Sequence, residues 1–219
     1  MQCLGFMRTA ERAPTTSHVT PRRFGVLLLL AATFLAGCMG DGDRATFSAD
    51  DLSKVVLQPT DLSRVWLQFD EGRQASADAP TGSRADPERF SRLDGWKARY
   101  RRAGTASTRG PLVIESRADV FEAQSGAEKD LKALGADLAE GGDAATPWEK
   151  LPAPSLGDEA LAVTLSQGTG ASAVRYYLVG WRQDNLTASL LVNGFERRTT
   201  LGDVLTLARK QHRHLAAAK

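Results

Sequence analysis

Apolar positions along residues 96–101 recur with a period of two, which is typical of a half-buried β-strand. The segment reads "GWKARYRR", and its two faces differ in chemistry: Trp96, Ala98 and Tyr100 on one face, Lys97, Arg99 and Arg101 on the other. The segment "GPLVIESRADVF" follows after a small, polar stretch and is predicted to be the hairpin partner of this strand.

Three further strands are predicted near the C-terminus, over residues 159–167, 173–181 and 186–193. The stretch "RQDN" at 182–185 has the composition of a hairpin turn and would join the last two. Hairpin connections therefore predict neighbouring antiparallel strands.

A helical period of apolar positions appears in three other segments. The first begins after Ser48, with Asp51 positioned for a capping box, and ends before Pro59. Its predicted buried face is Leu52, Val55 and Val56.

The other two predicted helices have longer stripes of mainly apolar residues along one face. Ser125 and Glu128 predict a capping box for the segment that ends at Gly141-Gly142, with a stripe of Ala127, Leu131, Leu134 and Leu138. The last helix is predicted to start at Thr199 or Thr200, with a stripe of Leu201, Leu205, Ala208, His212 and Leu215.

The stretch 70–85 is polar and contains glycine and proline, so it is predicted to be a loop. Asp86-Pro87 then predicts a short helix that turns Phe90 and Leu93 inward and stops at Gly95. Together the elements predict an α+β fold over residues 48–219, a single domain in which a mainly antiparallel sheet packs against helices.

The N-terminal 37 residues have a different organisation. Arg22 and Arg23 precede an apolar run from Phe24 to Phe34, which is too short to span a bilayer and has the length of a signal-peptide core. The run ends on Leu-Ala-Gly-Cys, and this motif resembles the lipobox of bacterial lipoprotein precursors. That resemblance implies cleavage between Gly37 and Cys38, and a lipid anchor on Cys38.

Removing residues 1–37 changes the charge argument. They contain four basic residues and one acid, so residues 38–219 carry a net charge of −1, although the whole chain carries +2. Net charge therefore gives no support to a nucleic-acid partner. Cys38 is the one cysteine that remains, which excludes an intramolecular disulfide, and residues 38–47 are interpreted as the acylated cysteine and a short tether.

The domain that follows resembles extracytoplasmic domains of actinobacterial type, which are lipid-anchored or membrane-tethered. The resemblance covers about residues 48–215 and rests on the phrases "LQPTDL", "GWKARYRR", "ADVFEAQSGAEKDL", "LPAPSLGDEALAV", "RQDNLTASLLV" and "LARKQ". Some of these domains have the PsbP-like sandwich of LpqN lipoproteins and of kinase sensor ectodomains. The likeness implies a curved antiparallel sheet with a groove, and no reaction.

Motifs for catalysis and metal binding are sparse. His212 and His214 point about 200° apart on a helix and cannot chelate one metal ion together, so neither a metal nor a cofactor is predicted. The chain has no G-x-S-x-G, no H-E-x-x-H and no P-loop. Acids at strand ends, namely Glu115, Asp119, Asp158 and Glu159, leave open a paired-carboxylate hydrolase, which needs two groups roughly 5–10 Å apart.

Charge is distributed unevenly within the domain. Residues 84–109 carry a net charge of +5 and residues 115–150 carry −5. These segments either neutralise each other or leave a cationic face for anionic lipid headgroups or an acidic partner. In the second case Lys97, Arg99 and Arg101 would make the contact.

These observations predict a lipid-anchored lipoprotein of the cell membrane or outer membrane, facing the extracytoplasmic side. Its domain is expected to bind or sense a small molecule, a lipid or an envelope protein without catalysis. The alternatives are an envelope assembly factor that acts through protein contacts, and the hydrolase. A preformed apolar groove would favour the binding domain, and a flat apolar patch would favour the assembly factor. Convergent acids with raised pKa values would favour the hydrolase.

The lipid anchor can be tested directly. Replacing Cys38 with Ala should yield an uncleaved or soluble form, because the acylated side chain is lost. Detergent partitioning and mass spectrometry of the N-terminus measure this. A wild-type protein that keeps residues 1–37 and an unmodified Cys38 would contradict the interpretation.

Overall fold

A computed structural model describes residues 46–74, 89–140 and 147–218. All of them belong to one compact unit that spans Gly40–Lys219. The predictions for the signal peptide, Cys38, Asp86-Pro87 and Gly141-Gly142 lie outside the described residues.

Seven strands of the described chain form one sheet. They are β1 (Leu67–Arg73), β2 (Arg92–Arg101), β3 (Val113–Phe121), β4 (Glu149–Leu151), β5 (Glu159–Gln167), β6 (Val174–Gln183) and β7 (Leu186–Phe195). The order across the sheet is β1-β2-β3-β7-β6-β5-β4, and every neighbouring pair is antiparallel. The predicted α+β class is confirmed.

Helices cover both faces of this sheet. They are α1 (Leu52–Val55), α2 (Gln124–Glu140) and α3 (Leu201–Ala217). On β6, Trp181 meets His212 of α3, whereas the adjacent Gly180 lies against Leu131 and Leu134 of α2. Successive strand residues point to opposite faces, so α2 and α3 lie on opposite sides of the sheet.

The alternation predicted for β2 is confirmed. Ala98 and Tyr100 are buried on the α3 side, and Lys97 and Arg99 extend on the α2 side. Burial raises the pKa of the Tyr100 phenol, whose hydroxyl donates a hydrogen bond to the Leu57 carbonyl (2.6 Å). This bond ties the segment after α1 to β2.

The helical predictions hold with shifts in position. Leu52, Val55 and Val56 are fully buried, and Asp51 accepts hydrogen bonds from the backbone and hydroxyl of Ser48. The second helix begins at Gln124, so Ser125 lies in its first turn and not at the predicted cap.

The buried stripe of α3 lies about one residue from the predicted one. Its centre is Val204, Leu207, Ala208, Gln211 and Leu215, and the predicted Leu201, Leu205 and His212 are half-buried. The fully buried Gln211 explains the shift, because its amide accepts from Ser116 (2.8 Å) and donates to the Arg117 carbonyl (3.0 Å).

Two local predictions are wrong. Asp70–Arg73 belong to β1 instead of a loop, and β2 begins at Arg92 and continues through Gly95. The predicted helix over Phe90 is a single 3₁₀ turn with Phe90 at φ 62°, and Leu93 is 59% exposed.

A buried ion cluster explains why the chain passes through Gly95 as a strand. A Cβ on Gly95 would lie 1.9 Å from the Arg92 guanidinium and 2.4 Å from the Asp119 carboxylate. Asp119 accepts from Arg92 (2.7 Å) and from Arg117 (2.8 Å), and all three side chains are almost fully buried. The glycine therefore gives these charges room to pair instead of ending a helix.

The start of the folded domain is held by Asn185 in the β6–β7 turn. Its fully buried side chain accepts from the backbone N–H groups of Thr46 and Phe47 (2.9 Å each). It donates to the carbonyls of Phe47 (3.0 Å) and Phe121 (2.8 Å). All four hydrogen-bonding positions of the amide are thus satisfied.

We expect Asn185→Asp to destabilise the domain by roughly 3 kcal/mol, because it removes two buried donors and places a charge against two carbonyls. The melting temperature should fall by about 10 °C in thermal unfolding of the full chain. Gln183→Glu makes the same chemical change at a half-buried neighbour and serves as the control. Equal melting temperatures for the two variants would contradict the role of Asn185.

Candidate functional site

The three cations predicted to contact an anionic surface lie on the α2 side of β2, beside acids from both neighbouring strands. Lys97 pairs with Asp70 of β1 at 2.9 Å. Arg99 lies 3.5 Å from Asp70 and 3.2 Å from Glu115 of β3. Two of the three charges are therefore compensated within the sheet.

A β-bulge completes this cluster. The register between β1 and β2 shifts between Gln68 and Asp70, and such a shift turns two consecutive side chains toward the same face. Phe69 consequently lies beneath the guanidinium groups of Arg99 (5.0 Å) and Arg101 (5.3 Å). Arg101 remains exposed, and contact with an anionic surface through this face stays a prediction.

The acids considered for hydrolysis all lie beside arginines. Glu115 pairs with Arg99 and Asp119 with two arginines. Asp158 and Glu159 lie 3.1 and 3.6 Å from Arg182. Glu115 and Asp119 are separated by about 13 Å along their strand, which exceeds the spacing of a carboxylate pair.

The two histidines lie apart from each other. His214 is 2.8 Å from Asp61, and His212 meets the edge of the Trp181 ring. In the described ranges no cluster of three or more His, Cys, Asp or Glu could hold a metal ion.

A concave site with a mainly apolar lining lies between α2 and the β4–β5 edge of the sheet. Its volume is about 480 Å³, within the range of sites that hold a small organic ligand. Its lining is mainly apolar and consists of Lys132, Gly135, Ala136, Ala139, Lys150, Leu151, Ala153, Ala160, Leu161, Ala162 and Val163.

Helical spacing explains how this groove forms. Leu131 and Leu134 draw α2 down onto Gly180 of β6, where the absence of a side chain permits close contact. Positions 132, 135, 136 and 139 share the adjacent face of α2, which therefore overhangs β5. Small residues at 135, 136 and 139 leave room between α2 and β5, and a Cβ on Gly135 would lie 3.5 Å from the Leu161 side chain.

Two lysines, Lys132 and Lys150, lie at the margin of the groove. Lys150 opposes Val163 across the β4–β5 pair, so its side chain extends on the same face of the sheet as α2. Lys132 donates to Glu128 (2.5 Å), and this hydrogen bond raises the pKa of Lys132. Lys132 is thus compensated, whereas Lys150 has no carboxylate within 4 Å among the described residues.

The resemblance implied a groove, but sequence reasoning did not locate it or name its lining residues, because β4 has three residues and no clear alternation. The small residues Gly135, Ala136 and Ala139 were visible in the sequence at i, i+1 and i+4, but small residues alone do not distinguish a groove from close packing. The relation of α2 to β4 and β5 had to come from the fold.

No protein-family model matches the chain, and no curated protein matches it significantly. Among solved structures, it is similar to the extracellular domain of PknH from Mycobacterium tuberculosis. The TM-score is 0.57 at 9% identity, over 80% of this chain and 100% of that domain. At this identity the likeness concerns the fold, which is therefore one that an extracytoplasmic domain also adopts.

Within the described segments, no helix has both the length and the apolar character needed to cross a membrane.

The Asp70 cluster predicts a pH dependence of stability. The hydrogen bond from Lys97 is the main reason that the pKa of Asp70 lies below its ordinary value of 3.8. A lowered folded-state pKa stabilises the domain above the unfolded-state pKa, and this contribution is lost as the pH falls through the folded-state value. Between pH 5 and pH 2.5, Asp70→Asn should therefore lose less stability than wild type.

Chemical denaturation at several pH values measures this difference. Asp50→Asn is the matched control, because Asp50 is exposed and makes no ion pair within the described chain. The same acid sensitivity in wild type and Asp70→Asn would show that the pairing does not stabilise the fold.

Proposed function

We propose that the protein is a lipid-anchored extracytoplasmic binding protein whose α2–β5 groove holds an anionic single-chain amphiphile. The groove carries this proposal, because it joins an apolar floor to Lys150 at its margin, which has no carboxylate within 4 Å among the described residues. An aliphatic chain would lie over Leu161 and Val163, and an anionic headgroup would meet Lys150.

The chemistry of the lining argues for this class of ligand. Gly135, Ala136 and Ala139 present backbone and methyl groups and few hydrogen-bonding atoms, so burial of an aliphatic chain is the favourable interaction available there. A strongly polar ligand would lose its hydration without compensation. The ammonium of Lys150 favours an anionic headgroup over a neutral one.

The anchor part of the proposal rests on the lipobox and on the short tether. Residues 39–45, which precede the Thr46 that Asn185 holds, reach at most about 25 Å when extended. The shared fold with an extracellular domain supports an extracytoplasmic location. A binding domain held this close to a bilayer would have access to amphiphiles that leave the membrane.

Protein assembly is the less favoured alternative. Val65 and Leu67 are exposed before and within edge strand β1, as a flat contact surface requires. The bulge at Phe69 and the arginines above its ring interrupt that surface, and bulges are a common means of blunting an edge strand.

A photoreactive fatty acid supplied to cells that express the full chain tests the groove in its native membrane. Wild type should crosslink within residues 132–163, as mapped by peptide mass spectrometry. Ala136→Phe should reduce this crosslinking about fivefold or more, because the ring fills the groove. Lys150→Gln should reduce it about fivefold for the fatty acid and leave a neutral monoacylglycerol probe unaffected.

Ala217→Phe is the matched control, since it adds the same ring to an exposed position of α3. Equal crosslinking in Ala136→Phe and Ala217→Phe would contradict binding in the groove. Equal loss of both probes in Lys150→Gln would contradict the anionic headgroup.

A further inference from the structure

A second concave site lies at the end of the sheet opposite to Asn185. Three connections form it: the β2–β3 loop, the β5–β6 turn and the start of the β7–α3 connection. Its volume is about 450 Å³, and it is lined by Ala106, Gly170, Ala171, Ala173, Phe195, Arg197 and Arg198. We call this site the distal cleft.

The distal cleft has an unbalanced positive charge. Arg197 and Arg198 are exposed and line it, and the exposed Arg109 belongs to the adjoining β2–β3 loop. The connecting residues 103–110, 168–173 and 197–200 contain no acid. In the described part of the structure, no carboxylate lies within ion-pairing distance of these three arginines.

The acid nearest to these arginines in the sequence already has hydrogen-bond partners. Glu196 accepts hydrogen bonds from Ser166 (2.6 Å) and Arg175 (2.7 Å). These bonds, first that of Ser166 and then that of Arg175, hold the pKa of Glu196 below its ordinary value. The carboxylate is thus ionised and hydrogen-bonded to Arg175, and it interacts with Arg197 only through the weaker effect of nearby charge.

Hydrogen bonds fix the backbone around the distal cleft. The Phe195 carbonyl accepts from the N–H groups of both Arg198 (2.9 Å) and Thr199 (3.0 Å), so Arg197 and Arg198 occupy the tip of a tight turn. The Gly110 N–H donates to the Arg198 carbonyl at 2.7 Å, which joins this turn to the β2–β3 loop.

The β2–β3 loop is itself restrained from within. The Arg102 guanidinium donates to the carbonyls of Pro111 (2.5 Å) and Arg109. The Thr108 N–H donates to the Thr105 carbonyl (2.8 Å), and the Thr105 N–H donates to the Thr108 hydroxyl (2.8 Å). A ligand would therefore meet a largely preformed site, which lowers the cost of binding.

We propose that the distal cleft binds a phosphate monoester with a compact uncharged body. A monoester carries about −1.5 to −2 charges at pH 7, which matches two or three guanidinium groups better than the single charge of a carboxylate or a phosphodiester. The volume exceeds that of a free phosphate, and Phe195 with Ala171 and Ala173 offers an apolar wall to the body of the ligand.

The position of the cleft favours a soluble ester over a headgroup of the protein's own membrane. β7 runs from the Asn185 turn to Phe195, and its ten residues span about 30 Å. The chain enters the domain beside Asn185, so the cleft opens at the end remote from the tether.

Calorimetric titration of the full chain in a neutral detergent tests the proposal with three probes. Glucose 6-phosphate should bind at least about tenfold more tightly than glucose, and added salt should weaken it. Glycerophosphoglycerol, a deacylated lipid headgroup with one charge, should bind more weakly than the monoester. A preference for this diester would overturn the proposal in favour of a lipid headgroup.

The double variant Arg197→Gln/Arg198→Gln should weaken glucose 6-phosphate binding about tenfold or more with an unchanged melting temperature. The control is Arg209→Gln/Arg213→Gln, which removes the same charge from exposed positions on α3. Equal weakening in both variants would show a general charge effect, and absence of phosphate-ester binding by wild type at millimolar concentration would refute the site.

Discussion

The buried amide of Asn185 connects three parts of the domain that are distant in sequence. Its oxygen accepts hydrogen bonds from the first two N–H groups of the described chain. Its nitrogen donates hydrogen bonds to the carbonyls of Phe47 and Phe121. Because the amide is fully buried, each of these groups would otherwise lose water without gaining a partner. The first described residues are therefore fixed to one end of β3 and β7.

Helices pack differently on the two faces of the sheet because of two adjacent residues of β6. Trp181 fills the side of α1 and α3, where the main core lies. Gly180 leaves the other side flat enough for Leu131 and Leu134 of α2 to approach. The same approach brings the small face of α2 over β5 without filling the space, so the groove is a consequence of how the helix is seated.

Strong periodicity explains which parts of the fold could be predicted from the sequence. β2 shows the predicted alternation, and β5 occupies 159–167 as predicted, where residues 160–163 form an apolar run. Predictions from local sequence patterns were wrong where contacts with residues distant in sequence determine the conformation. Gly95 resembles a helix stop but accommodates Arg92 and Asp119. Gln211 resembles a surface residue but satisfies buried groups of β3.

Charge was the least predictable property for a related reason. Counting charges along 84–109 left open whether they form a cationic face or are neutralised, because the carboxylates that Lys97 and Arg99 meet on β1 and β3 are brought near by strand pairing. The reverse holds for Arg197 and Arg198, whose sequence neighbour Glu196 suggests compensation but bonds to Ser166 and Arg175. Uncompensated charge therefore has to be judged after pairing, and among the described residues it lies in the connections remote from Asn185 more than on β2.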